Sequence, residues 1–487
     1  MEKRFKCALL SILFVLSAVI GRCAYISLDK SYAVSDSYNS YTLTLGTLYT
    51  NIYDRKGSRL NNCAKATVAV IPPNEKALAE LEKLFSDDEC KSIREELKKG
   101  IPVTKKVTKK ADTAHIKLYE TIIENTDDMP ARHMLDKMCG GLEYYTDEEI
   151  GSLSINFHKD ATGRLLESES FEVIDDNYSS NEGIIVSLDK DIQHIAEAAS
   201  KGINKGAVVV MDTNTSQVLA SVSKGDDYIN RAVYPYAVGS VFKIIVSACA
   251  LENNINQIYY CNGYTDVGDT RFHCLNNKKH GILDMKTALE NSCNCYFAKL
   301  ALKLGEDKLL KTAKDLGFGK EFQIYDNFVL SAGSFPSLQV LESDGQLALT
   351  GFGQGALSDS PVHFASALSA VVNGGYYNPP TLDISDSSNN RVLSENSSEK
   401  LKDYMTSVVR NGTGVNANYK NLTGGKTATA QSGIYINGKE VLNTWFAGFY
   451  PADKPEYTIV VMTEGGTTGS EDCCPVFRTI VEMLEKK

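Results

Sequence analysis

The sequence predicts an α+β protein of two or three domains behind an N-terminal membrane helix. Three observations carry that reading. The chain has 487 residues, too many for one ordinary hydrophobic core. Its first 28 residues combine a basic flank with one long apolar run. From about residue 184, strand patterns open the sequence, helical patterns fill the middle and strand patterns close it, so one sheet must combine both ends. The composition, 43% hydrophobic and 23% charged, is that of a folded chain. A net charge of −10 excludes general nucleic-acid binding, because phosphate affinity needs clustered Lys and Arg. The basic stretch 91–117 reads as a solvated helix face and loop.

Residues 1–6, "MEKRFK", carry Lys3, Arg4 and Lys6 and are assigned as a cytoplasmic tail. Residues 7–28, "CALLSILFVLSAVIGRCAYISL", would span about 33 Å as a helix, enough for a bilayer core. Their Leu, Ile, Val and Phe residues favour insertion by roughly 3–7 kcal/mol together. Arg22 would cost about 3 kcal/mol at the bilayer centre, but near the outer end it snorkels. Insertion wins, and the basic flank places the remaining residues outside the cell. A cleaved signal peptide is disfavoured, because no small-x-small site follows the apolar run. A lipoprotein box before Cys23 is disfavoured because Arg22 precedes it. The expectation is a single-pass protein of the cell membrane with extracytoplasmic C-terminal domains.

Past the anchor, the Ser/Tyr-rich stretch 29–62 reads as strands with a tight turn at "DRKG". Residues 74–100 read as charged helix, and "NYSSNEG" (177–183) as a linker. Domains are therefore expected at 29–183 and 184–487. In the second, "GAVVVMDTNTSQVLASVS" reads as a hairpin, and helices are expected at 240–251 and 285–304. "SPVHFASALSAVVNGG" is a further helix, stopped by Gly374 and Gly375. Residues 387–400 read as a polar loop. "GGKTATAQ", "NTWFAGFY" and "EYTIVVMTEG" are strands, and "CCPVFRTIVEMLEKK" a last helix. Twelve cysteines are scattered without a disulfide framework. Cys261 and Cys274 have the spacing of a local disulfide. A metal site using His273 or His280 lacks CxxC-type support.

Three short stretches carry chemistry. Ser240 and Lys243 are spaced i, i+3 and share a helix face. Gly239 permits a sharp turn there, and a helix start leaves free N–H groups around the serine. A serine hydroxyl needs a neighbour to take its proton, and a lysine does so only when burial lowers its pKa. The apolar run after Lys243 supplies that burial. Ser292 and Asn294 offer a proton relay and an amide anchor. Lys426, Thr427 and Thr429 lie on a glycine-flanked strand suited to holding a carboxylate. Each stretch alone reads equally as ordinary structure: an amphipathic helix start, a helix cap and a surface strand.

Together and in order, SxxK, SxN and a KTG-like triplet form the signature of penicillin-binding proteins and serine β-lactamases. "NRAVYPYAVGSVFKI", "FHCLNNKKHGILDMKTALENSCNCYFAKLALKLG", "GFGQGALSDSPVHFASALSAVVNGGYYNPPTL" and "TWFAGFYP" resemble further stretches of the transpeptidase domains. "NIYDRKG" is similar to the first block of the class B pedestal. The resemblance covers 184–487 strongly, 1–60 recognisably and 61–183 faintly. It implies an elongated mixed pedestal over 29–183, then a β-lactamase/transpeptidase-like domain with a central antiparallel sheet flanked by helices.

The resemblance also implies roles at matching positions. Ser240 would attack the carbonyl between the last two D-alanines of a peptidoglycan stem peptide, and Lys243 would accept its proton. Ser292 would relay protons, Asn294 position the donor, Lys426 tune the field, and Thr427 and Thr429 hold the terminal carboxylate. The backbone N–H groups of Ser240 and Thr429 would form the oxyanion hole. An amine acceptor would resolve the acyl-enzyme, β-lactams would inhibit it covalently, and no metal or organic cofactor would be required. A separate membrane glycosyltransferase of the shape, elongation, division and sporulation family is the implied partner. No run resembling the family's glycosyltransferase motifs occurs in 29–183, and no wall-binding repeats are expected after the catalytic region.

Three positions depart from the family pattern. Ala428 replaces the usual glycine, so its methyl is expected to crowd the substrate backbone and slow acylation or reshape β-lactam preference. Val238 stands where proline is common. Thr50 and Asn51 replace Arg-Gly before "IYDR". The competing functions are a D,D-carboxypeptidase or β-lactamase, in which water replaces the amine, and a non-catalytic penicillin-recognising scaffold. No deacylating glutamate of the ExxxN type stands out between Asn294 and Lys426, and the retained motif residues argue against a scaffold.

Overall fold

The computed structural model describes residues 2–28, 40–109, 111–123, 129–136, 140–142, 147–159, 165, 171–326, 328–385 and 390–487. Residues 29–39 of the expected strand stretch and 387–389 of the expected polar loop lie outside them. Helix α1 (Glu2–Leu28) contains the apolar stretch Phe5–Tyr25, whose mean hydropathy is 2.2. Its side chains from Phe5 to Tyr25 are exposed, as a bilayer-facing helix requires.

The chain forms two compact units. The first combines residues 1–49, 64–124 and 149–180; the second combines 50–63, 125–148 and 181–487. Segments 50–63 and 125–148, expected within the pedestal, thus fold with the catalytic stretch. In the first unit, Ser40–Tyr49 and Phe171–Asp176 flank Glu149–His158 in an antiparallel sheet. Lys65–Ile71 is the centre of a second sheet, between Val103–Val107 and Lys117–Ile122. The charged helical stretch divides into Glu75–Glu80 and Asp87–Leu97, because Asn74 and Ser86 each cap a new start.

In the second unit the "DRKG" turn forms as expected. The Asp54 carboxylate accepts from the backbone N–H of Lys56 (2.9 Å) and Ser58 (2.7 Å). The Thr50–Asn51 departure is absorbed: both are buried. Asn61 donates to the Thr50 carbonyl and Asn51 to that of Glu182, each at 2.8 Å.

The main sheet of the second unit is built from β1 (Gly206–Asp212), β2 (Val218–Lys224), β3 (Gly424–Ile436), β4 (Lys439–Tyr450) and β5 (Tyr457–Glu464). Its order is β2-β1-β5-β4-β3, antiparallel throughout. Alternation along the strands sorts side chains to two faces. Val208, Val210, Ile459 and Val461 face α2 (Lys190–Ala199) and α8 (Cys474–Glu485). Val209, Met211, Val460 and Met462 join the larger core. That core holds α3 (Lys243–Glu252), α4 (Met285–Glu290), α5 (Asn294–Leu304), α6 (Pro361–Val372) and α7 (Glu395–Asn411). The fold is the α+β arrangement expected, with one sheet uniting both ends of the sequence.

Two expectations are corrected. The helix expected over 285–304 breaks into α4 and α5. Cys293 caps the second segment, and Ser292 between them adopts a left-handed φ of 52°; short polar residues prefer such cap and turn positions. The polar loop expected over 387–400 becomes helical from Glu395. Ser394 caps α7 by accepting the N–H of Ser397, and Ser397, Ser398 and Leu401 turn inward. A run of Ser, Asn and Glu is also what a capped helix start looks like.

Candidate active site

Edge strand β3 forms one wall, and among the described residues no strand pairs with its outer edge. A 3-10 turn, Gly239–Phe242, lies against it and leads into α3. The turn needs glycine twice. Gly239 has φ 59°, and a Cβ there would lie 2.9 Å from the Ala430 Cβ on β3. At Gly353 (φ 86°) a Cβ would lie 1.8 Å from the Gly239 carbonyl oxygen. The approach to the turn is also tied down. Trp445 Nε1 donates to the Ala237 carbonyl at 3.0 Å. The Tyr236 hydroxyl (2.7 Å) and Arg231 Nε (2.6 Å) both donate to Glu464 at the end of β5, and Arg231 forks onto Asp227 at 2.6 and 2.7 Å.

Lys243 is fully buried. Its Nζ lies 2.8 Å from Ser240 Oγ, 2.8 Å from the Ser292 carbonyl, 3.2 Å from Ser292 Oγ and 2.8 Å from Asn294 Oδ1. An ammonium has three N–H donors, one fewer than these oxygens. A neutral amine satisfies the three short contacts: two N–H groups donate to the Ser292 carbonyl and Asn294 Oδ1, and the lone pair accepts from Ser240. Burial pulls the amine down to about 8, because desolvation penalises the charged form. The left-handed Ser292 presents both of its oxygens to Nζ, so the break between α4 and α5 builds the site. Asn294 is held from its other end, where Nδ2 donates to the His273 carbonyl at 3.0 Å.

Ser240, Lys243, Ser292 and Asn294 therefore form one cluster. Lys426 is buried on β3, and its Nζ donates to the Thr427 carbonyl at 2.9 Å. Burial first, and then the Lys243 charge, hold its pKa well below the ordinary lysine value. Thr427 donates to Thr413 Oγ1 at 2.7 Å, and Thr429 is half-buried. Ala428 is 3% exposed and packs with the core, so its methyl occupies interior volume instead of projecting into the open groove. Thr413, Trp445, Gly353 and the Arg231–Glu464–Tyr236 tie were not singled out from sequence. The lone tryptophan and the paired glycines of "GFGQG" were the available signals. A cavity of about 700 Å³ beside His133 and His194 contains none of the motif residues.

The penicillin binding protein transpeptidase domain matches residues 206–482, more than half of the chain, so the chain belongs to that family. It is 32% identical over 372 residues to stage V sporulation protein D of Bacillus subtilis, covering 66% of this chain and 56% of the relative. It is 26% identical to the peptidoglycan D,D-transpeptidase MrdA of Haemophilus influenzae, covering 62% of this chain and 56% of that protein. The chain thus spans about half the length of these curated relatives. Among solved structures it superimposes on a candidate peptidoglycan glycosyltransferase from Atopobium parvulum with TM-score 0.64 and 20% identity, covering 92% and 99% of the two chains. The D,D-transpeptidase domain from Eggerthella lenta gives TM-score 0.56 and 23% identity over 70% and 96%. The expected family and fold class both stand.

Proposed function

We propose that this chain is a membrane-anchored serine D,D-transpeptidase that crosslinks peptidoglycan stem peptides. The observation that carries the reading is the buried Lys243 amine, drawn down to about 8 and 2.8 Å from Ser240 Oγ. Ser240 Oγ bonds to the carbonyl carbon of the penultimate D-alanine while its proton passes to Lys243. The amide C–N bond breaks, and terminal D-alanine leaves with a proton relayed through Ser292. An acceptor amine then attacks the ester, loses a proton to the same relay and frees Ser240. The N–H groups of Ser240 and Thr429 stabilise the oxyanion, a contribution of about 3–4 kcal/mol per donor. Asn294 positions the donor, Lys426 sets the local field, and Thr427 and Thr429 hold the carboxylate. β-Lactams trap Ser240 by the same attack.

In this reading α1 anchors the chain, residues 29–183 apart from 50–63 and 125–148 supply the pedestal, the catalytic unit works outside the membrane, and a separate membrane glycosyltransferase supplies the strands. Labelling with a fluorescent penicillin tests the nucleophile. Wild type should label covalently and Ser240→Ala should not; equal labelling of both overturns the assignment. Donor peptide with an acceptor amine should yield crosslinked product. Release of D-alanine without crosslinking would instead identify a carboxypeptidase.

A further inference from the structure

Beneath the SxN loop, four cysteines and a histidine converge. Cys274 Sγ lies 3.7 Å from Cys261 Sγ, 3.6 Å from Cys293 Sγ and 3.4 Å from Cys295 Sγ. Cys261 Sγ lies 3.4 Å from His280 Nδ1. The ligand atoms of Cys261, Cys274, His280 and Cys293 all fall within 4.8 Å of one another. We propose that these four residues bind one zinc ion as a closed Cys3His site that holds the SxN loop in place.

Sulfurs about 2.3 Å from a tetrahedral zinc stand about 3.8 Å apart, and a sulfur–nitrogen edge is about 3.5 Å; the Cys261–Cys274, Cys274–Cys293 and Cys261–His280 distances match these values, and the remaining pairs lie within 4.8 Å. No pair is singled out for a disulfide, since Cys274 has three thiols at nearly equal range. Thiolates and an imidazole select zinc over magnesium or calcium. Backbone N–H groups already point at two of the sulfurs: Gly263 donates to Cys261 and Tyr296 to Cys293, each at 3.4 Å. Such donors are the outer shell that supports metal thiolates. Four protein ligands leave no open position, which defines a structural site. Binding exchanges three thiol protons for one dication.

The ligands also sit where a cross-link is needed. Cys261 ends a short strand paired with Gly281–Leu283, and Cys274 follows the hairpin Tyr264–Val267/Thr270–His273. Ribbons this small have little stability of their own. Cys293 lies between Ser292 and Asn294, and His273, whose carbonyl orients Asn294, precedes Cys274. An ion here would fix the loop that contacts Lys243.

The test uses the 487-residue chain and does not depend on its transpeptidase activity. Elemental analysis of the purified protein should find one zinc per chain. Cys274→Ser and Cys293→Ser should lose it and melt at lower temperature, whereas Cys295→Ser and Cys474→Ser should retain it. Because a ligand variant can fail by misfolding, wild-type zinc should also be exchanged for cobalt(II). The thiolate-to-cobalt charge-transfer and tetrahedral d–d bands are expected. Removing the metal should lower the melting temperature reversibly and slow penicillin labelling. A folded wild type that carries no zinc and gains no stability from zinc or cobalt overturns the proposal. A Cys261–Cys274 disulfide in peptide mapping, or loss of metal from Cys295→Ser, overturns the four-ligand assignment.

Discussion

Lys243 sits among neutral oxygens, and among the described residues no carboxylate comes within ion-pair reach of it. With its pKa near 8, the neutral form grows as pH rises. Acylation by a fluorescent penicillin should climb about tenfold per pH unit below 8 and level above it; a flat profile from pH 6 to 9 would count against this base. The same shift has a stability sign. Folding lowers the pKa, so the unfolded chain binds more protons between about 8 and 10.5, and this group's contribution rises with pH across that window. Ala428 gives a second test at this scale. Its methyl is buried, so Ala428→Gly should cost about 1–2 kcal/mol in melting experiments. Labelling should change by less than about fivefold, because the methyl lies outside the groove. The grouping of Ser240, Lys243, Ser292 and Asn294 was legible in sequence through the ordered motifs that resemble the family signature, since each motif alone reads as ordinary structure. The direction of the Ala428 methyl was not, since motif spacing does not say which face of a strand a side chain takes.

At the scale of elements, the turn carrying Ser240 depends on backbone meeting backbone. Gly353→Ala would drive a Cβ into the Gly239 carbonyl, and Gly239→Ala adds a left-handed cost of about 1–2 kcal/mol to a clash with β3. Both variants should retain membrane association and lose most penicillin labelling. Arg231 is buried, but its partners Asp227 and Glu464 remain partly exposed, so losing its charge-assisted hydrogen bonds costs about 1.5–3 kcal/mol. Arg231→Ala should lower the denaturant midpoint accordingly, without touching any reacting group. The strands, the β1–β2 hairpin and the Gly374–Gly375 helix stop were legible from alternation and turn residues. The break at Ser292 was not. An apolar period continues across it, and only tertiary contact with Lys243 decides that the serine turns left-handed.

Over the whole molecule, the two faces of the sheet explain the long apolar strands: β1 and β5 are buried on both sides, so nearly every residue is apolar. That pattern, with helices between, was enough to read the architecture. The membership of 50–63 and 125–148 in the larger unit is not legible in sequence, because short segments added to a large core carry no periodic signal. Trp445, the single tryptophan, is fully buried on β4 and bonded to the approach of Ser240. Its emission shift and the loss of penicillin labelling should therefore coincide in a denaturant titration. Labelling lost well before the emission shift would mean that the groove opens while the sheet survives.

The position of β5 sets the order of events during synthesis. It lies between β1 and β4, yet it is made after both. Until it emerges, the growing chain holds two hairpins with nothing to join them, and such long-range closure is the slow step of β folding. Glu464, which anchors Arg231 and Tyr236, arrives with the same strand. A nascent chain therefore carries its serine and lysine through nearly half of its synthesis without a groove to use them in. Chains truncated before Tyr457 should therefore fail to label with fluorescent penicillin, whereas chains that include Glu464 should label.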